Sequence, residues 1–288
     1  MANRILEYFA ALVASDDGLP LTEAAIAIAQ DVYPDLDVQD TLTQIDTLAA
    51  RLAKRLPQDA GPLQKLQLLD HFFFRELGFA ANQNDYYDPD NSHLHVVLDR
   101  RRGIPISLAV LCMEIGHQIG LPLRGLSFPG HFLLRLAVPA GDVVIDPLSG
   151  HSLSPQRLLE MVEPYLKHYR DESAEPIQEL ALWALLHPFL EPATPREILA
   201  RMLRNLRAIY TQNERWERLL AVQERMVLVL PDQPIEKRDR GLAYARLNLV
   251  RPAQDDLEFY LSVRSDAEDA DAIRQVLDDL SRRPGSHG

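Results

Sequence analysis

Seven of the thirteen glycines in this 288-residue chain fall between Gly103 and Gly150, and only three follow. Glycine destabilises helix interiors and suits turns. That clustering marks one turn-rich segment within a chain that otherwise reads as helical. Inside it, residues 123–128, 131–138 and 142–145 are short apolar or alternating runs, punctuated by Pro129-Gly130 and Ala140-Gly141-Asp142. They predict an antiparallel meander of about three strands. An apolar helix precedes the meander, opening at Pro105, running to about Ile119 and closed by Gly120.

The flanks carry helical periodicity. Ile5, Leu6, Phe9, Leu12 and Val13 form a stripe over residues 4–14. A second helix starts at Thr22 and stops at Pro34, and a third runs over about 38–56. A fourth opens at Pro62, where the missing N–H of proline is harmless, and ends near Gly78. Residues 82–92 are polar and turn-forming, which predicts a loop. Ser154-Pro155 supplies an N-cap and first-turn proline, and helical texture resumes there. The charged stretch 170–176 reads as a linker. The expected organisation is therefore residues 1–170, a helical region with a core at about 82–150, followed by a helical domain over 177–288.

That second domain contains a repeat. Shifted by 34 residues, Leu206-Arg-Ala-Ile-Tyr210 lies over Arg240-Gly-Leu-Ala-Tyr244, and helices at 216–230 and 252–263 superpose. Thirty-four residues is the tetratricopeptide period, a helix–turn–helix unit. Two units are expected, at about 199–232 and 233–266. Repeats of this kind usually need three units to stand alone, so the pair is expected to pack against the N-terminal domain. A generic bundle of helical hairpins is the alternative.

Charge and cysteine content narrow the function classes. Acidic residues outnumber basic ones 42 to 30, for a formal charge of −12. That balance opposes broad phosphate-backbone binding, so no nucleic-acid partner is expected. Cys112 is the single cysteine, which excludes an intrachain disulfide framework and multi-cysteine metal sites. The apolar stretch at 104–113 is about half of the ~20 residues a membrane span needs. Residues 4–17 lack the basic lead and long apolar core of an export signal. A cytoplasmic location without membrane partners is expected.

Segment 86–150 carries the chemistry. His131 opens one predicted strand and Asp146 closes the next, so an antiparallel pair with a short turn would bring them near each other. A histidine held by an aspartate is the orienting half of a nucleophilic triad. The helix start at Pro105 to Ser107 is where a third member would gain from the helix dipole. This order of parts resembles the transglutaminase-like, papain-related superfamily, and more closely the SirB-type family of bacterial proteins. The likeness rests on Asn91-Ser92, residues 100–107, Gly120-Leu-Pro, Phe128-Pro-Gly-His131 and Ile145-Asp-Pro147. It implies an α+β fold, mostly helical, with a small antiparallel sheet in a transglutaminase-like domain and a TPR-like helical tail. By the family's name it also implies a link to gene regulation.

The chain departs from the superfamily where the nucleophile should be. Active relatives place a cysteine soon after a glycine at the helix start, whereas Gly103 is followed by Ile-Pro-Ile-Ser. Cys112 lies two turns further in, among apolar neighbours, and reads as a buried structural thiol. Ser107 has two readings: a replacement nucleophile with His131 as its base, or a first-turn residue satisfying local backbone groups. Around it, Tyr86, Tyr87, Asn91, Arg101, Arg102 and Pro105 are candidate binding residues. The arginines can instead cap strands and loops, and the tyrosines can simply pack. His93 and His95 with Asp88, Asp90 and Asp99 offer metal-ligand chemistry, but Pro89 and His93 spoil a calcium-loop pattern. No glycine-rich phosphate loop is present, and neither metal nor cofactor is expected. The reading adopted is a non-catalytic protein-interaction or regulatory protein with a protein or peptide partner at the tail or groove. The alternative is a hydrolase or acyl-transferase using Ser107, His131 and Asp146.

Overall fold

A computed structural model of the chain describes residues 2–139, 141–166 and 186–282. Its contacts gather into two compact units. One holds the stretch up to Pro20, Ala27–Leu36 and everything described from Leu199 onward; the other holds Leu21–Ile26 and Asp37–Ile198. The linker expected at 170–176, and the boundary at 177, lie outside the described residues.

In chain order, α1 (Ala2–Leu12) and α2 (Leu21–Ala27) lead into a 3-10 turn over Ile28–Asp31. Helix α3 spans Val38–Ala53, three residues shorter than the periodicity suggested. Asp37 starts it, its carboxylate accepting the N–H groups of Gln39 and Asp40 at 2.9 and 3.2 Å. Ile45, Leu48, Ala49 and Leu52 form its buried stripe. Helix α4 (Pro62–Asp70) does not run on to Gly78 as one helix. At His71 it widens into a π-helical turn, His71–Glu76, which buries Phe72 and Phe73. Phe73 stacks on Phe79 at 4.2 Å between ring centroids.

The polar segment 82–92 is largely irregular and tightens into a 3-10 turn at Pro89–Ser92. Helix α5 (Leu94–Arg100) follows, an element the periodicity did not separate from its flanks because it is only seven residues long. Two-residue strands β1 (Ala80–Ala81) and β2 (Arg102–Gly103) then pair in parallel. Helix α6 (Pro105–Gln118) is buried over nearly its whole circumference and forms the unit's central helix.

The meander follows as expected, with one more strand. Strands β3 (Arg124–Leu126), β4 (Leu133–Val138), β5 (Gly141–Ile145) and β6 (Ser152–Leu153) form an antiparallel sheet in sequence order. Leu126 opposes Leu133, and Leu134 opposes Ile145. One face packs with α7 (Pro155–Leu166) through Leu133, Val144, Leu158 and Val162.

The tail consists of α8 (Pro195–Gln212), α9 (Trp216–Val229), α10 (Pro234–Arg246), α11 (Val250–Val263) and α12 (Ala270–Ser281). Helix α11 begins and ends 34 residues after α9, the period read from the sequence. The last helix closes the array through Ile273 and Leu280, which pack with Ala253, Leu257 and Tyr260. Helix α1 and the 3-10 turn after α2 pack on α9 within this same unit. Among the described residues no helix is long and apolar enough to cross a membrane.

Candidate functional site

The start of α6 is where a transglutaminase-like nucleophile would stand. Ile104 is extended there, with φ −106° and ψ 166°, and Pro105 takes the first helical position. Ser107 lies at the third position and is fully buried. Its hydroxyl accepts the Ile104 N–H at 3.1 Å and donates to the Asn91 carbonyl at 2.6 Å, with the Ile104 carbonyl also 3.0 Å away. A β-carbon at Gly103 would sit 2.7 Å from this hydroxyl, so glycine is what lets the serine reach its partners.

Asn91 continues the network downward. It is buried, and its Nδ2 donates to the Asp85 and Tyr86 carbonyls at 2.7 and 3.2 Å. Its Oδ1 accepts from Asn82 Nδ2 at 2.9 Å. A polar loop is thereby fastened to the start of the core helix through hydrogen-bonded Asn91 and Ser107. Tyr86 and Tyr87 project from the loop as an exposed edge-to-face pair, 5.5 Å apart.

The three arginines behind the loop act separately. Arg100 bridges Asp88 and Asp90 at 3.2 and 3.1 Å. Arg101 takes a left-handed conformation that ends α5 and lays its guanidinium 4.7 Å from the Phe79 ring centroid. Burial lowers its pKa. Arg102 donates to the carbonyls of Gly78 and Arg101, both at 2.7 Å.

The structure pairs His93 with Asp90, two residues that the sequence named for metal-ligand chemistry and not as a His–Asp pair. His93 is almost fully buried, and its Nδ1 lies 3.1 Å from Asp90 Oδ1. The i, i+3 spacing was its only sequence signal. Burial, and then the neighbouring His93, depress the pKa of His95.

His131 and Asp146 flank strands of the sheet. His131 is exposed, two residues before β4, on the turn whose closing bond runs from its N–H to the Phe128 carbonyl. Asp146 follows β5 directly, and its carboxylate is engaged by its own turn. Leu148 N–H donates to Oδ1 at 2.9 Å, and the Ser149 hydroxyl donates to Oδ2 at 3.0 Å. Among the described residues no hydrogen bond joins Ser107, His131 and Asp146 to one another. Gly150 closes the Asp146 turn with φ +76°, and a β-carbon there would collide with Asp70 Oδ1. That buried oxygen accepts no hydrogen bond from the described residues. Cys112 is buried in the middle of α6, and desolvation, aided by the Asp70 charge, pushes its thiol up to about 12. It stays protonated at neutral pH and is a poor nucleophile. Among the described residues no three His, Cys, Asp or Glu side chains gather to hold a metal.

A family model described as the transglutaminase-like superfamily matches residues 39–204, and a tetratricopeptide repeat model matches 206–278. A "UPF0162 protein" of Xylella fastidiosa strain 9a5c is 39% identical over 267 residues, 92% of each chain. "UPF0162 protein YchA" of Escherichia coli K12 is 27% identical over 92% of this chain and 94% of its own. "Protein SirB1" of Salmonella typhimurium is 25% identical over the same shares. No solved structure matches.

Proposed function

The chain belongs to the transglutaminase-like superfamily, and from that premise we propose that it works without the superfamily's covalent chemistry. A transglutaminase-like domain joined to tetratricopeptide repeats is a protein-interaction architecture. In the proposed reading the tail docks a protein or peptide partner, the domain's exposed Tyr86–Tyr87 edge adds contact surface, and the outcome is regulatory, inside the cytoplasm.

The observation that carries this reading is the state of Ser107. A serine acts as a nucleophile when a base within hydrogen-bond reach takes its proton and the oxygen faces a substrate. Here the oxygen is buried, its proton is directed at the Asn91 carbonyl, and the Ile104 N–H occupies it as an acceptor. Asp146 accepts the Leu148 N–H and the Ser149 hydroxyl, and among the described residues no histidine ring is hydrogen-bonded to it. Cys112 supplies no thiolate.

Ester, thioester and amide substrates assayed with the full chain and with His131→Ala test the proposal. The expected result is no turnover that depends on His131. Reproducible turnover abolished in both Ser107→Ala and His131→Ala, with each variant still melting cooperatively, would establish the hydrolase or acyl-transferase alternative instead.

A further inference from the structure

Arg101 stands where a helix end ordinarily takes glycine or asparagine. It closes α5 with φ 56° and ψ 28°, a left-handed conformation that a β-carbon disfavours. Its side chain is half-buried over the Phe79 ring, and Nη1 is enclosed without a hydrogen-bond partner among the described residues. Desolvation works against the charge, as does Arg51 in the last turn of α3, while Asp99 draws on it without forming an ion pair. Helix C-termini favour basic residues, but an exposed side chain on an ordinary backbone meets that preference. A strained, half-buried arginine without a paired carboxylate is a pattern found at binding sites.

Arg51 is its counterpart. It is exposed, forms no ion pair among the described residues, and lies over the Phe72 ring, 5.6 Å from the centroid. Arg55 shares that ring at 5.3 Å, but its Nη1 is 2.6 Å from both carboxylate oxygens of Glu76. Glu76, on which Arg51 also acts, is therefore already engaged. Phe72 belongs to the π-helical turn, and Phe79 stacks on Phe73 of the same turn. The widened turn, a feature frequent at functional sites, thus supports the rings beneath both arginines. Contact with a ring face holds a guanidinium in place while its N–H edges stay available. For Arg101, the enclosed Nη1 leaves the Nε–Nη2 edge as the one a ligand can reach.

We propose that Arg51 and Arg101 together bind the dianionic phosphate monoester of a small-molecule ligand, where α3, the π-helical turn and α5 meet. A tetrahedral dianion balances both guanidinium charges and accepts forked N–H pairs from each. A carboxylate balances one charge and leaves the arginines repelling each other. The net charge of −12 disfavours a polyanionic strand or surface as the source of the phosphate. The inference goes beyond the interaction reading and stands without it.

Methyl phosphate titrated into the full-length protein at pH 7.5 and constant ionic strength tests the site, with the monoanion methyl sulfate as its isosteric control. The expected result is saturable binding of methyl phosphate, by calorimetry and by a rise in melting temperature, with methyl sulfate about tenfold or more weaker. Arg51→Gln should weaken methyl phosphate about tenfold or more. Arg157→Gln removes an equal charge at an exposed position on α7 and should leave the affinity unchanged. Arg101→Asn, which tolerates the left-handed backbone, should abolish the phosphate-induced rise in melting temperature. A solely structural Arg101 would instead lower the starting melting temperature and leave that rise intact. Should Arg101→Asn fail to fold, the exposed Arg51 position decides. Absence of saturable binding, equal binding of methyl sulfate, or an equal loss in Arg157→Gln would overturn the proposal.

Discussion

Replacing Ser107 by alanine removes an acceptor from the Ile104 N–H and a donor from the Asn91 carbonyl, both in a fully buried setting. Each buried polar group left unpaired costs about 1–3 kcal/mol, so urea denaturation of Ser107→Ala should show a loss of about 2 kcal/mol or more. A loss below about 0.5 kcal/mol would mean that the hydroxyl does not fasten the loop to α6. Ser107 as a first-turn residue was legible, because it stands two places after Pro105, a proline suited to the first helical position. Its partner Asn91 lies sixteen residues upstream, beyond any local pattern. The engagement of Asp146 was also written locally. Asp-Pro-Leu-Ser-Gly is an aspartate followed by turn formers, the composition in which the carboxylate bonds its own backbone. Spacing drew attention to the strand ends instead, and strand proximity does not decide where a side chain finds its partner.

Helix α9 illustrates what periodicity can and cannot reveal about an element. Its bounds and the 34-residue offset to α11 were readable, because apolar positions recur there at helical spacing. The same pattern gives no reason for Arg225, a charged residue that is 1% exposed. Arg225 forms an ion pair with Asp31, donates to the Ala221 carbonyl at 3.3 Å and lies 5.1 Å from the centre of the Phe9 ring. Burial lowers its pKa, against the pull of Asp31. Removing one member of such a pair leaves a charge whose desolvation is no longer offset, at about 3–5 kcal/mol. Asp31 keeps 20% side-chain exposure, so Arg225→Ala should fall near the lower end of that range in chemical denaturation. Combining Arg225→Met with Asp31→Asn should recover most of the loss. A double variant as unstable as the single one would show that packing of the guanidinium against Phe9, rather than charge pairing, dominates. The π-helical turn at His71–Glu76 was equally invisible, since its apolar positions also satisfy an ordinary helix.

At the scale of the whole molecule, the sequence revealed two kinds of architecture but not which residues complete each one. Two repeats are fewer than usually stand alone, which implied that something else must cover them. The structure supplies α1, the 3-10 turn at Ile28–Asp31 and the closing helix α12, drawn from opposite ends of the chain. Packing between segments some two hundred residues apart has no periodic trace, so composition along the chain placed α1 with its sequence neighbours. If α1 completes the tail, damage to α1 must be felt there. Phe9 is fully buried, and truncating a buried phenylalanine to alanine costs about 3–5 kcal/mol through lost burial and the cavity left behind. In Phe9→Ala, amide hydrogen exchange should accelerate across Trp216–Val229 while Pro105–Gln118, in the other unit, keeps its protection. Exchange that accelerates only within Ala2–Leu12 would make α1 an appendage that frays by itself. Acceleration of equal size in both helices would mean that the two units unfold as one cooperative body. The expected pattern, fast exchange in α9 and protection in α6, requires residues at the start of the chain to form part of the core of its last third.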